Sequence, residues 1–168
     1  HRIARRQRQM CIRDRRNLSQ LLVLKIFLGR MSNFFSSSKL LRINNEEGDI
    51  LRVLRKTEES FTEFGEAYFS IIHMNSIKAW KKHNAMTMNL IVPTGCVGFV
   101  FTDGKDFKSV KIGPNNYLRI TVPPGVWFGF KGLSSDINLV LNIADMVHSS
   151  EEVEKKEKNY FKFDWSSL

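Results

Sequence analysis

The chain has 168 residues, 42% hydrophobic and 11% aromatic, with Phe at 13 positions; that is one domain's length with enough apolar side chain for a core, and it excludes a wholly disordered chain. No apolar run reaches the ~20 residues that a membrane helix needs, and two Cys exclude a disulfide scaffold. A net charge of +9 suits nucleic acid or an anionic membrane surface, but its distribution does not.

Residues 1–16 carry seven Arg and one Asp, Lys25 and Arg30 follow, and residues 31–168 hold 17 basic against 16 acidic side chains. The body of the chain is therefore nearly neutral. Residues 5–15 (RRQRQMCIRDR) read as the translation of a transposase library adapter, and such scars are set aside from fold reasoning. The alternative is an Arg-rich arm that binds phosphates. Residues 17–30 (NLSQLLVLKIFLGR) mimic the apolar region of a signal peptide. Lys25 interrupts the run, however, and no small-residue cleavage site follows. The expected organisation is residues 1–30 as non-native or upstream sequence, Met31 as the natural start, and residues 31–168 as a single domain. Cys96 is then the sole cysteine, which with no export signal points to the cytoplasm.

Residues 31–38 are Ser-rich and read as loose, and a weak strand is expected over Ile50–Lys56. From residue 67 onward β-rich segments arrive at short intervals. They are Ala67–His73, Ser76–His83, Met86–Val92, Cys96–Thr102, Phe107–Ile112, Tyr117–Val122, Val126–Gly132 and Ile137–Ala144. Turn residues separate them: Pro93-Thr94-Gly95, Asp103-Gly104, Gly113-Pro114-Asn115-Asn116 and Pro123-Pro124-Gly125. About eight short strands with no long helix between them predict an all-β sandwich or barrel. One short helix is expected near the end. Ser149 stands three residues before Glu152, with acidic residues early and Lys155, Lys156 and Lys158 late. The aromatic stretch Tyr160–Trp165 must bury, on the barrel or on a second subunit.

Strand alternation puts Ile77, Ala79, Lys81 and His83 on one face and Lys78, Trp80 and Lys82 on the other. If the first face points inward, Lys81 and His83 enter the interior together. A lysine beside His83 disfavours the imidazolium and leaves a neutral ring able to act as a base; the competing reading is a satisfied wall histidine and a rim lysine. Arg119 shares a face with Tyr117 and Thr121, and its guanidinium suits a diphosphate. Trp80 and Trp127 suit stacking on a base or sugar, or plain core packing.

Residues 78–165 resemble the cupin superfamily and, within it, the dTDP-4-dehydrorhamnose 3,5-epimerase family. The likeness rests on Val122-Pro-Pro-Gly-Val-Trp-Phe-Gly-Phe130, on Asn116-Tyr117 upstream, on Lys78-Ala-Trp-Lys-Lys-His83 followed by Asn89-Leu-Ile-Val-Pro-x-Gly95, and on Asn142-Ile-Ala-Asp145 with His148 and Glu151-Glu152. It implies a double-stranded β-helix, or jelly-roll barrel, with the short C-terminal helix. The cupin metal pattern, laid on this chain, puts Lys81, His83, Met88 and Phe128 at its four ligand positions. A cationic amine and a phenyl ring hold no divalent ion, so no metal and no other cofactor is expected.

The metal-free epimerases of that family use a His base, a Lys beside the oxygen and a Tyr acid. Here Lys81 stands at the base position, Phe128 at a second His position and Leu141 at the Tyr position. Strand alternation, set beside that chemistry, makes His83 and Lys81 the candidate acid–base pair. It makes Asp145 the residue that orients the base, and Tyr117 or Tyr160 the substitute acid. Arg119, Lys78, Trp127, Phe128 and Asn89 are the expected substrate contacts. The function implied is epimerisation or ketoisomerisation of a dTDP-4-keto-6-deoxysugar in surface-polysaccharide synthesis, by a single-barrel homodimer with neither nucleic-acid nor membrane partners. The alternatives are a barrel that binds a sugar or a partner without catalysis, and a metal-dependent oxidoreductase, which the ligand positions oppose.

Overall fold

The computed structural model describes residues 34–168. The adapter-like head, residues 17–30 and the start at Met31 lie outside the described residues. Among the described residues the chain forms β1 (Ser36–Lys39), β2 (Arg42–Ile43), β3 (Ile50–Leu51), β4 (Glu66–Ile72), β5 (Ile77–His83), β6 (Met88–Thr94), β7 (Val97–Thr102), β8 (Phe107–Ile112), β9 (Leu118–Val122), β10 (Trp127–Gly132), β11 (Asn138–Ala144) and β12 (Val153–Lys155). The eight strands expected from residue 67 onward all form, each within a few residues of its expected span.

Two five-stranded antiparallel sheets make the jelly roll of a double-stranded β-helix, in the orders β1-β9-β6-β11-β4 and β12-β5-β10-β7-β8. Alternation decides what lies between them. The first sheet contributes Leu90, Ile120 and Val140, and the second contributes Phe99, Phe101 and Phe130. Burying such side chains is worth about 1.5–3 kcal/mol each, which makes this layer the main source of stability.

Each sheet also has a covered outer face. Leu40, Leu51, Val53 and Leu54 pack on Ile91, Tyr117 and Ile143 outside the first sheet. The aromatic stretch after Tyr160 packs on the second: Phe161, Phe163 and Trp165 surround Trp80. Of the two expected places for that stretch, the barrel is where it goes.

Three local expectations need correction. The Ser-rich stretch is partly a strand, because β1 pairs with the edge of β9 from Ser36↔Thr121 to Lys39↔Leu118 while Phe34 anchors it in the core. The strand at Ile50 pairs for only two residues. The charged stretch from Ser149 to Lys158 is not helical: it turns and then pairs with β5 as β12. Glu152 is drawn inward there by buried partners, and a helix would aim its first-turn carboxylates at solvent. The helical turn of this region comes later, at Trp165–Ser167, with the Asp164 side chain accepting from the Ser166 amide.

The register of β5 against β10 slips between Phe128 and Phe130. Lys81 lies opposite Phe128 and Lys78 opposite Phe130, so both lysines take the inward face. Gly129 sits at the slip, where a Cβ would lie 2.5 Å from the Ala79 Cβ. Only glycine lets the two strands come that close.

Candidate active site

A cavity of about 710 Å³ opens between the sheets at the β5–β12 edge. Lys78, Lys81, His83 and Phe128 line it from the second sheet, and Met88, Tyr68, Ser70 and Asn142 from the first. Lys155, Lys156, Glu157 and Tyr160 form its mouth.

His83 is the cavity's most constrained polar group. It is 5% exposed and its Nδ1 lies 2.6 Å from Glu152 Oε2. The other oxygen of Glu152 accepts from the amides of Ala85, at 3.0 Å, and Met86, at 2.9 Å. Burial pushes the Glu152 carboxyl up, but the bond from His83 and the two amides outweigh it and hold the group below its usual value. An ionised Glu152 only accepts, so Nδ1 carries the proton and the lone pair of a neutral ring sits on Nε2. Phe128 stacks beside the ring, with centroids 6.1 Å apart.

Lys81 has no hydrogen-bond or ion-pair partner among the described residues. Its ammonium is held below the usual lysine range, first by burial and then by Lys155 and Lys78. Lys78 donates to the Ile71 carbonyl at 2.9 Å, bridging the two sheets. On the facing wall the Asn142 amide donates to Ser70 Oγ at 3.2 Å and to the Tyr68 carbonyl at 3.3 Å. Among the described residues, neither the Ser70 hydroxyl hydrogen nor the Asn142 oxygen has a side-chain hydrogen-bond partner. Burial raises the Tyr68 phenol, helped by Glu66.

Of the residues expected from sequence, the structure brings Lys81, His83, Lys78 and Phe128 together in the cavity. Strict alternation predicts Lys78 on the opposite face, and the register slip brings it round. Tyr160, an expected alternative acid, stands at the mouth. The other five do not line the cavity. Tyr117, Arg119 and Asn89 point to the outer face of the first sheet. There Arg119 binds the Val53 carbonyl at 2.8 Å, Glu58 at 2.5 Å and the Ser60 hydroxyl. Asn89 accepts from Thr121 at 2.7 Å on the same face. Tyr117 is buried beside Ile91 and Ile143. Trp127 packs on Phe161 outside the second sheet, under the Lys82 ammonium. Asp145 accepts from the Thr87 amide at 2.8 Å and from Thr62, so it ties loops, and Glu152 holds the histidine instead. Sequence reasoning missed Glu152, Tyr68, Ser70 and Asn142.

No protein-family model matches the chain. A dTDP sugar isomerase from Desulfovibrio desulfuricans G20 superposes with a TM-score of 0.76 at 34% identity, covering 80% of this chain and 92% of its own. The chain belongs to this dTDP-sugar isomerase family. A probable low-salt glycan biosynthesis epimerase, Agl13 of Haloferax volcanii, is 22% identical over 130 residues, which cover 71% of this chain and 83% of that one. The sugar 3,4-ketoisomerase QdtA from Thermoanaerobacterium thermosaccharolyticum, solved with TDP, shares the cupin fold. Its TM-score is 0.67 at 14% identity, covering 78% of this chain and 94% of that one. The residues at the four cupin metal positions, Lys81, His83, Met88 and Phe128, all line the cavity. Their donor set does not fit a divalent ion, and no group of three His, Cys, Asp or Glu gathers among the described residues.

Proposed function

We propose that the chain is a sugar-nucleotide isomerase or epimerase acting on a dTDP-4-keto-6-deoxysugar in polysaccharide synthesis. The observation that carries this reading is the buried His83–Glu152 pair in a cavity that the unpaired Lys81 also lines. Membership of the dTDP-sugar isomerase family supports the substrate class.

The chemistry follows from those groups. Nε2 of His83 takes the proton from the carbon beside the ketone, and Glu152 stabilises the imidazolium that forms. The C–H electron pair becomes the enolate double bond, and the carbonyl pair moves to oxygen. The Lys81 ammonium sits where it can neutralise that oxygen or protonate it, and its lowered proton affinity suits the second role. Returning a proton to the same carbon from the opposite face inverts it. Protonating the former carbonyl oxygen, taking the proton from the neighbouring carbon's hydroxyl and returning a proton to the former carbonyl carbon moves the ketone to the neighbour. Tyr68, on the opposing wall, is the donor placed for the far face. A second face in use gives epimerisation, and one face alone gives ketoisomerisation.

The same reading puts the protein in the cytoplasm, in keeping with Cys96 as a free thiol, and pairs two barrels through the exposed edge of the first sheet. No helix among the described residues is long and apolar enough to cross a membrane.

Incubation with a dTDP-4-keto-6-deoxysugar in heavy water tests the chemistry. Deuterium is expected on a carbon beside the ketone. His83→Ala should slow that exchange at least ~100-fold, the low end for losing a general base. Lys81→Ala should cost a similar factor. Lys82→Ala serves as the control, since that side chain lies outside over Trp127. Substrate binding without exchange by the unaltered protein would leave a binding barrel, not an enzyme.

A further inference from the structure

The acid–base chemistry uses Lys81 only as a charge, yet its neighbours are unusual for a lysine on a strand. Lys81 lies opposite Lys155 on β12 and opposite Phe128 on β10. Side chains directly opposite in an antiparallel pair have Cβ atoms about 4.5–5.5 Å apart, and like charges placed so repel. Lys78, the third lysine of the group, lines the same cavity. The next residue shows the ordinary arrangement. Lys82 lies opposite Glu154, and its ammonium is 2.8 Å from that carboxylate, on the outer face over Trp127. One step along the same two strands thus exchanges an opposite-charge pair for a like-charge pair. The like-charge pair is the one that lines the cavity.

Among the described residues Lys81 has no ion-pair partner. Glu157 is the only carboxylate among them that lines the cavity, and Glu152 is committed to His83 and two amides. Lys78, by contrast, has an acceptor in the Ile71 carbonyl. An ammonium faced by another and left without a counter-charge gives up its proton more readily. Burial first, and then Lys155 and Lys78, hold that of Lys81 below the usual lysine range. The free amine that results is a nucleophile. His83, two residues on, shares the inward face of β5 and is held by Glu152. A nucleophilic amine and a base on one strand, lining one cavity, are the two groups that imine chemistry on a ketone requires.

We propose that Lys81 is a covalent catalyst, condensing with the substrate ketone to form an imine on which His83 then acts. This rests on the isomerase reading and replaces a charge beside the oxygen by a bond to the carbon. Nζ of the free amine adds to the carbonyl carbon, and the C=O electron pair moves to oxygen. That oxygen takes one proton from the adding nitrogen and a second from the Lys155 ammonium, and leaves as water. The product is a protonated imine. His83 takes the proton from the neighbouring carbon, the C–H pair becomes the C=C bond, and the C=N pair returns to nitrogen. An uncharged enamine then stands where an enolate would carry a full negative charge. Returning a proton to that carbon from the opposite face restores the imine with the centre inverted. Water adds to the imine carbon, the amine leaves, and Lys155 recovers its proton. Nitrogen has held the carbonyl position, so the ketone is released where it began. The covalent route therefore inverts the neighbouring carbon and does not transpose the ketone.

Reductive trapping tests the assignment. Sodium cyanoborohydride reduces a protonated imine far faster than a ketone, and so fixes the sugar to the amine. With dTDP-4-keto-6-deoxyglucose and the reductant together, the intact protein should gain the mass of one substrate less one oxygen atom, and peptide mapping should place it on Lys81. Neither reagent alone should do so. Lys82→Ala, outside the cavity, should be labelled as fully as the unaltered protein. Lys81→Arg keeps the charge but forms no imine. Its solvent deuterium exchange should fall at least ~100-fold, as in Lys81→Ala, with circular dichroism unchanged. Exchange largely retained in Lys81→Arg overturns the covalent role. Exchange by the unaltered protein with no adduct, or with adducts scattered over many lysines, overturns it too and leaves the isomerase reading with Lys81 as a charge. Neither exchange nor adduct overturns both. An adduct at Lys81 without exchange upholds the condensation and removes only the proton chemistry.

Discussion

At the scale of single residues, Glu152 has the largest consequences. Its carboxylate satisfies three donors at once, and two of them are amides at the tight turn after β5. Its folded-state proton affinity lies below the usual value of 4.5. It therefore adds stability above that pH, and the contribution disappears as pH falls through the lower folded value. Glu152→Gln should remove this part of the acid transition. It should also lower stability at pH 7 by about 1–3 kcal/mol, the cost of an imperfectly satisfied buried site. Proton exchange on substrate should fall about tenfold or more, but by less than in His83→Ala, because the base remains and only its orientation is lost. Denaturation followed from pH 3 to 7 reads the first effect, and an unaltered acid limb would contradict it. This residue was not legible as an orienting acid. In the sequence Glu152 stands among Glu151, Glu154 and Glu157, and nothing local marks which of four carboxylates a distant histidine draws inside.

At the scale of elements, the alternation of apolar residues carried most of the fold. Leu118, Ile120 and Val122 lie on the inner face of β9, so Tyr117, Arg119 and Thr121 had to face out. The signal against Arg119 as a substrate contact was thus present in the strand itself. The inward pairing of Lys81 with His83 was legible for the same reason. Lys78 was not, because a register slip against β10 changes which residues of β5 share a face. A period of two cannot report a slip that depends on a partner strand. Gly129→Ala tests the slip directly. The added methyl meets the Ala79 Cβ at 2.5 Å and the Lys78 carbonyl at 3.1 Å, so β5 and β10 must part. A loss of about 1–3 kcal/mol in denaturant unfolding is expected, together with weaker ligand binding, since Lys78 and Lys81 flank the displaced residue. A variant as stable as the original would show that the strands do not approach so closely.

At the scale of the whole molecule, the outer faces of both sheets are covered. N-terminal residues cover the outside of the first sheet around Ile91, and the aromatic stretch covers the outside of the second. The edge strand β4 is left, and there Phe69 is 61% exposed and Ile71 51%. Unpaired edge strands with apolar side chains are normally blunted by charge or covered. A second copy of the chain is the expected cover. Analytical ultracentrifugation should find a dimer at micromolar concentration, and the double variant Phe69→Glu, Ile71→Glu should sediment as a monomer. A monomeric unaltered protein would sink this expectation.

The strand β12 has one neighbour, β5, and pairs with it across three residues. The chain just before it carries Glu152, and the chain at its end carries Lys155 and Lys156. A single local opening would therefore remove the histidine's counter-charge and the cavity's mouth together. Such openings need far less free energy than global unfolding, and they are visible as amide hydrogen exchange. A ligand that requires the closed form suppresses them by mass action, about 100-fold at a ligand concentration 100 times its dissociation constant. The Lys156 amide, bonded to the Trp80 carbonyl at 3.1 Å, should report that slowing on adding dTDP. Amides of β10, at the centre of the second sheet, should exchange only through global unfolding. The time that β12 spends detached would then set an upper bound on how quickly substrate can be admitted and product let go.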